Sequence, residues 1–118
     1  MTPELLAAGL MKPVVEEGAA TYRRLFADTH PDKASDPYWK RALVLFGQLS
    51  PAQRLVFFEI LQQVSIDTVS GVLGVIDGSS YLANRTEDLV LTTAKGRKLS
   101  GDLQDLFLAQ AEEQRSAS

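Results

Sequence analysis

The stretch PAQRLVFFEILQQVSIDTVSGVLGVIDG, residues 51–78, decides the fold. Ser50 and Pro51 supply an N-cap and a first-turn proline, and Gly78 is the residue type that ends helices in the left-handed conformation. Between these limits apolar residues cover more than half of the helix circumference, which is typical of a helix that other elements surround. We therefore predict one long central helix, about residues 51–77, enclosed on most sides by the rest of the chain.

The remaining narrow stripe of this helix contains Asp67, Ser70, Gly71 and Gly74. Glycine inside a helix costs up to about 1 kcal/mol relative to alanine, so we expect another backbone to approach closely here. A carboxylate in such a stripe is costly unless it is paired or hydrogen-bonded. Asp67 is therefore expected to anchor an arginine or a helix end, with a general base or a binding carboxylate as the alternative.

Shorter helices are predicted before the central one. A cap-and-proline signal opens a short helix that runs through Leu10, and Pro13 starts a second helix toward Asp28. Apolar residues then recur at helical spacing over residues 38–49. These segments are long enough to pack against the central helix and cover part of it.

After Gly78 the pattern changes. Apolar and polar residues alternate around an AKGR turn, which predicts a small β-hairpin at about residues 88–99. Ser100 is placed to cap a last helix with one apolar face. The expected fold class is mainly α, a compact single helical domain over residues 1–118 whose last few residues are frayed.

The composition bounds the partners and the location. The chain has 118 residues, no cysteine and a formal net charge of -3. That charge argues against a nucleic-acid binder that works by bulk attraction to phosphate, and the lack of cysteine excludes disulfides and thiolate sites. No segment approaches the roughly 20 apolar residues of a membrane span, and the N-terminus lacks a secretory signal. We expect a cytoplasmic protein with no nucleic-acid and no membrane partner.

Asp77 closes the predicted central helix, where its oxygens can accept N–H bonds from the serines that follow, in an Asx-turn. About 15 Å of helix separates it from Asp67, so the two carboxylates cannot hold one ion. A rival interpretation makes this region a pocket for a small ligand or a reaction, with a concave cavity that reaches Asp67. Its candidate residues are Asp67, Ser70, Asp77 and Tyr81.

No pattern in the sequence predicts a catalytic residue, a metal or a cofactor. His30 is the only histidine, and without cysteine or a second histidine a zinc site is not expected. Neither a nucleophile elbow nor a glycine-rich phosphate loop after a strand occurs. The expectation is therefore a chain without catalytic residues and without a cofactor.

The stretch YRRLFADTHPDK, residues 22–33, resembles the second helix and loop of J-domain co-chaperones. In that family a Y-R-x-L segment precedes His-Pro-Asp at the same spacing. The resemblance implies that His30, Pro31 and Asp32 would stimulate the ATPase of a heat-shock chaperone. A J-domain-like co-chaperone is thus an alternative function.

Three further segments are similar to small uncharacterised bacterial proteins of unknown function. They are FGQLSPAQR, DTVSGVLGVIDGSSYL and LSGDLQDLF, and together they span most of residues 46–107. This resemblance implies a helical fold with a small hairpin. It assigns no activity and no catalytic residue.

The leading functional hypothesis is a non-enzymatic protein-interaction or regulatory domain. The chain holds more apolar residues than one long helix and a few short ones easily bury, so an exposed apolar patch is expected to serve as an interface. The partner would be another protein or a second copy of the chain. Small size and acidic charge also fit an immunity-type protein that neutralises a toxin.

Overall fold

The computed structural model describes residues 1–117, which form helices and the segments that connect them. The helical elements, in chain order, are α1 (Pro3–Leu10), a π-helical turn (Met11–Glu16), α2 (Glu17–Asp28), a 3-10 turn (Pro31–Lys33), α3 (Pro37–Gly47), α4 (Pro51–Asp77) and α5 (Leu103–Ala117). The prediction of a mainly α fold built around one long helix is confirmed.

The N-terminal helices form one continuous rod, without the predicted break between Leu10 and Pro13. Proline has no N–H to donate to the carbonyl four residues earlier, so the regular ladder cannot pass through Pro13. The backbone forms a π-helical turn here instead. The N–H of Glu17 donates to the carbonyl of Lys12, five residues back. This turn connects α1 to α2 without a loop.

α4 begins and ends where the sequence predicts. The Gln53 N–H donates to Ser50 Oγ at 3.1 Å, and the Ser50 N–H donates to Gln53 Oε1 at 2.8 Å. This reciprocal capping box satisfies free donors of the first turn. At the other end Gly78 has φ +82°, and its N–H donates to the carbonyl of Val75. Local chemistry at both ends therefore fixes the limits of the 27-residue helix.

The first hydrophobic core joins both ends of the chain to the C-terminal half of α4. Leu103 and Phe107 of α5 are fully buried in it, as is Ala7 of α1. Its other buried members are Met11, Val15, Ile66, Leu73 and Ala111. Because α5 packs along α1 as well as along α4, this core ties the N-terminal and C-terminal segments together.

The second hydrophobic core is aromatic and lies on the N-terminal half of α4. The Phe26 ring of α2 is at its centre, with centroids 5.0 Å from Trp39, 4.9 Å from Phe46 and 5.0 Å from Phe57. Tilted and edge-to-face ring pairs of this kind add to the gain from buried area. The Arg54 guanidinium covers the Phe46 ring at 4.5 Å from its centroid, which closes one side of the core.

The two cores contact different sides of α4. At 100° per residue, Phe57 and Leu61 point roughly 120–180° away from Ile66 and Leu73. In each half of α4, the side that faces away from the core packed on that half is exposed. The prediction that the rest of the chain encloses α4 on most sides is therefore wrong, since the neighbouring helices each cover one half of it.

The predicted β-hairpin at residues 88–99 is also wrong. Within the described part of the chain, this region contains only an isolated antiparallel bridge between Thr92 and Lys98, and no strand. The Leu99 N–H donates to the carbonyl of Leu91 at 2.8 Å. Pairing cannot extend beyond this point, because α5 begins four residues after Leu99 and the chain has already turned toward it.

One helix in residues 1–117, α4, is long and apolar enough to cross a membrane by length and composition. This differs from the expectation that no segment approaches that requirement. Only 11% of the most apolar window of α4 is buried, and a single helix of this kind is weak evidence for a membrane location.

Candidate functional site

Asp67 is not the anchor that the sequence predicts. Its side chain lies on the exposed surface of α4, where Gln63 Nε2 donates to its Oδ1 at 2.9 Å. Gln63 in turn accepts a hydrogen bond from Arg115 of α5 through Oε1. The carboxylate therefore stays hydrated on the outside of the helix instead of holding a neighbouring helix in place.

Asp77 is the carboxylate that joins two helices. The Gly101 N–H donates to Asp77 Oδ1 at 2.7 Å, and the Gln104 N–H donates to Asp77 Oδ2 at 2.8 Å. A side chain at the end of α4 thus caps the start of α5, where the helix dipole favours negative charge. The predicted Asx-turn with the following serines is wrong, because the N–H groups of Ser79 and Ser80 both donate to the carbonyl of Gly74 instead.

A small polar cluster lies next to this cap. Gln104 Nε2 donates to the buried Ser70 Oγ at 3.2 Å, and Ser79 Oγ donates to Gln104 Oε1 at 3.3 Å. A Cβ added at Gly74 would lie 2.9 Å from the Gln104 amide and closer still to Ser80 Oγ. Gly74 therefore makes room for two polar side chains, where the sequence analysis expected a backbone.

The structure brings some of the predicted pocket residues together and separates others. Ser70 and Asp77 share Gln104 as a partner. Tyr81 follows the end of α4 with 88% of its surface exposed, and within residues 1–117 Asp67 accepts a hydrogen bond from Gln63 of its own helix. The four residues proposed for a ligand pocket thus divide into a structural pair and two exposed side chains.

Asp77→Ala is expected to lower the free energy of unfolding by about 1–2 kcal/mol, because two N–H groups at the start of α5 lose their acceptor. Asp67→Ala is the matched control: an exposed carboxylate of the same helix, whose loss should change stability by less than about 0.5 kcal/mol. Urea denaturation followed by circular dichroism measures both. A larger loss for Asp67→Ala than for Asp77→Ala would contradict this assignment of the two carboxylates.

His30 and Asp32 lie in the exposed connection between α2 and α3. The Asp32 N–H donates to His30 Nδ1 at 3.2 Å, so the imidazole caps the 3-10 turn. Across residues 1–117 no group of three or more His, Asp or Glu side chains is arranged to hold a metal ion. The position of these two residues is set by a local turn.

Three adjoining hollows lie along the open side of α4. One of about 680 Å³ separates α4 from the π-helical turn and α5, and a second of about 450 Å³ lies between α2, α3 and α4. A third of about 380 Å³ lies beside the N-terminal half of α4. Val56 and Ile60 line both the first and the third, and Phe57 lines both the second and the third. The hollows therefore form one connected surface.

The ridge between these hollows is apolar and exposed. Val56, Ile60 and Val64 follow one another at intervals of four residues on α4, and Leu45 of α3 lines the same hollow as Val64. Their exposed fractions are 52%, 56%, 55% and 53% in that order. We call these four residues the α4 apolar face.

The sequence predicts an exposed apolar patch but not its position. A signal was present: Val56, Ile60 and Val64 form a short apolar row on one side of the helix, and polar residues, Gln53 and Asp67, bound it at both ends. A row of residues that faces a core would remain apolar along the whole helix. The polar ends mark the row as a surface of limited length.

Comparison with known proteins adds no assignment. No protein-family model, no curated protein and no solved structure matches this chain. The resemblances to J-domain co-chaperones and to small bacterial proteins therefore remain predictions. The exposure and contiguity of the α4 apolar face make it the candidate site of this protein.

Proposed function

We propose that this chain is a non-enzymatic interaction domain that binds another protein chain through the α4 apolar face. The observation that carries the proposal is the amount of surface left open. The chain exposes 8243 Å², whereas a compact protein of 12.9 kDa exposes about 6,300 Å². Its radius of gyration is 17.6 Å, against about 13.5 Å for a compact domain of this length.

The position of the open surface supports the same proposal. Part of the excess belongs to the extended segment at residues 81–98, but the α4 apolar face is a contiguous apolar ridge on a regular helix. Contiguous exposed apolar patches often mark interaction sites, and burial against a partner gains roughly 25 cal/mol per Å² of apolar area. A rigid helical ridge also costs little conformational entropy on binding.

The two alternative functions receive less support. A ligand site around Asp67 would need convergent polar groups in a hollow, and Asp67 and Tyr81 are both exposed and apart from Ser70. The co-chaperone alternative depends on His30 and Asp32, which are accessible between α2 and α3. Stimulation of a chaperone ATPase that His30→Gln abolishes would favour that alternative over the interaction domain.

The proposal predicts that binding depends on one side of α4. Ile60→Lys places a charge in the middle of the α4 apolar face, and Leu55→Lys places the same charge about 140° around the helix, at a side chain that is 68% exposed. With the tagged chain as bait, wild type and Leu55→Lys should retain the same partner, either a different protein or the untagged chain itself. Ile60→Lys should retain neither.

Circular dichroism of both variants verifies that each is folded, as expected for exposed positions. Equal retention by Ile60→Lys and Leu55→Lys would show that the α4 apolar face is not the binding surface. A wild-type bait that retains neither a different protein nor the untagged chain would overturn the interaction function itself.

A further inference from the structure

We infer that the partner on the α4 apolar face is a second copy of this chain, with the two α4 helices packed antiparallel around a twofold axis beside Ile60. The inference rests on the proposed function and names its partner. A twofold interface must be self-complementary, so that residue i of one copy meets residue j of the other and the reverse also holds. The ridge on α4 has this property.

The ridge is symmetric about Ile60. Val56 and Val64 lie four residues before and after it, so antiparallel pairing sets Val56 of each copy against Val64 of the other. All three side chains point within about 40° of one direction. Helices that cross at about 20° stay in contact over several turns, as this pairing requires. Each copy therefore presents a Val–Ile–Val row to an identical row running the opposite way.

The polar residues at the two ends of the ridge are complementary as well. Gln53 and Asp67 lie seven residues before and after Ile60, so the same pairing sets Gln53 of one copy beside Asp67 of the other. Gln53 uses Oε1 to accept from Ser50, which leaves its amide nitrogen as a donor. Asp67 uses one oxygen to accept from Gln63, and a carboxylate can accept further bonds.

Charge favours the antiparallel arrangement over the parallel one. In antiparallel pairing the two Asp67 carboxylates lie roughly 21 Å apart, well beyond the screening length of physiological salt. Each is also placed at the first turn of the partner's α4, where negative charge is favourable. Parallel pairing would set the two Asp67 side chains next to each other, and the two helix dipoles would point the same way.

The open area is of the size that a dimer requires. The chain exposes about 1,900 Å² more than a compact protein of its mass. A stable dimer needs roughly 800 Å² from each partner, and permanent dimers use more. This excess is shared between the extended segment at residues 81–98 and the open side of α4.

A lipid bilayer is the other surface that an apolar helix could meet. α4 buries Ile66 and Leu73 against the other helices, so it could span a bilayer only by leaving the first core. The bounding residues Gln53 and Asp67 give the ridge a length suited to another helix. We therefore assign the surface to a second copy and make membrane binding an outcome of the test.

Multi-angle light scattering after size exclusion gives the mass in solution. The wild type and Leu55→Lys should elute at about twice 12.9 kDa, and Ile60→Lys at 12.9 kDa, with the dimer dissociation constant raised at least roughly 100-fold. A wild type that stays monomeric at its highest soluble concentration overturns the inference. Monomeric wild type that sediments with phosphatidylglycerol vesicles, but not after Ile60→Lys, overturns it in favour of a membrane surface.

Engineered cysteines test the direction of the helices, because the chain has none of its own. Under mild oxidation Ile60→Cys should form a disulfide-linked dimer and the control Leu55→Cys should not. Mixed Val56→Cys and Val64→Cys chains, one of them tagged, should cross-link to each other more than to themselves. Preferential Val56–Val56 and Val64–Val64 cross-linking would contradict antiparallel pairing.

Different results would overturn the self-pairing inference and the interaction function. If the chain is monomeric while the bait still retains a different protein that Ile60→Lys loses, the self-pairing inference falls and the interaction function stands. If the bait retains nothing through this surface, both fall.

Discussion

Phe107→Ala should lower the free energy of unfolding by about 3–5 kcal/mol, as large a loss as we expect from any one substitution. Phe107 of α5 is fully buried in the first core, where α1, the π-helical turn and the C-terminal half of α4 meet. Removing the ring opens a cavity that three elements would have to collapse around. The first core carries the contact between the two ends of the chain, so α1 and α5 should loosen together.

Two spectroscopic probes separate the two cores in this variant. Trp39, the single tryptophan, packs in the second core, whereas circular dichroism reports all helices. In urea, Phe107→Ala should lose part of its helical signal before the emission of Trp39 changes. Coincident transitions at the wild-type midpoint would contradict both the size of the effect and its location.

Phe26→Ala should cost a similar amount, about 3–5 kcal/mol, in the second core. Its ring contacts Trp39, Phe46 and Phe57 from three other positions in the sequence, and it is the only buried residue that α2 contributes. Without it α2 and α3 lose their common contact. Arg24→Ala, exposed and about 160° around the same helix from Phe26, is the control and should cost less than about 1 kcal/mol.

Hydrogen exchange followed by mass spectrometry locates the effect of Phe26→Ala. Amides of α2 and α3 should exchange faster, while amides of α5 keep their wild-type protection. Loss of protection in α5 equal to that in α2 would show that the two cores unfold as one cooperative unit and would contradict their separation.

The limits of α4 could be predicted because local chemistry sets them. Ser50, Pro51 and Gly78 act on the backbone within one turn of themselves, and no distant residue competes with them. The π-helical turn at Pro13 could be predicted only in part from local chemistry. The missing N–H was predictable from the sequence, but buried Met11 and Val15 keep the rod continuous where a break was expected.

The roles of the two carboxylates could not be predicted, because their partners are distant in the chain. Asp77 bonds to Gly101 and Gln104, 24 and 27 residues away, and nothing near Asp77 indicates them. A helical wheel shows Asp67 among apolar and small residues, but it does not show which sides of α4 the other helices reach. That coverage depends on how α1 and α5 pack together, which is a long-range property.

The same limitation hid the position of the α4 apolar face. The sequence shows an excess of apolar residues, but its pattern predicts a central helix that the other segments enclose on most sides. Only their arrangement shows that one helix serves two cores on different sides and leaves Ile60 between them. The hairpin failed for a related reason: the second arm pairs with the first only around the Thr92–Lys98 bridge before the chain turns into α5.

Nuclear Overhauser effects from the Ile60 methyl groups test most directly whether the chain leaves the α4 apolar face open for a second copy. In a mixture of labelled and unlabelled chains, we expect effects between Ile60 of the two copies and between Val56 of one and Val64 of the other. Within a chain, Ile60 should show none to α1, α3 or α5. Strong effects from Ile60 to one of these helices of its own chain would show that the face is already covered.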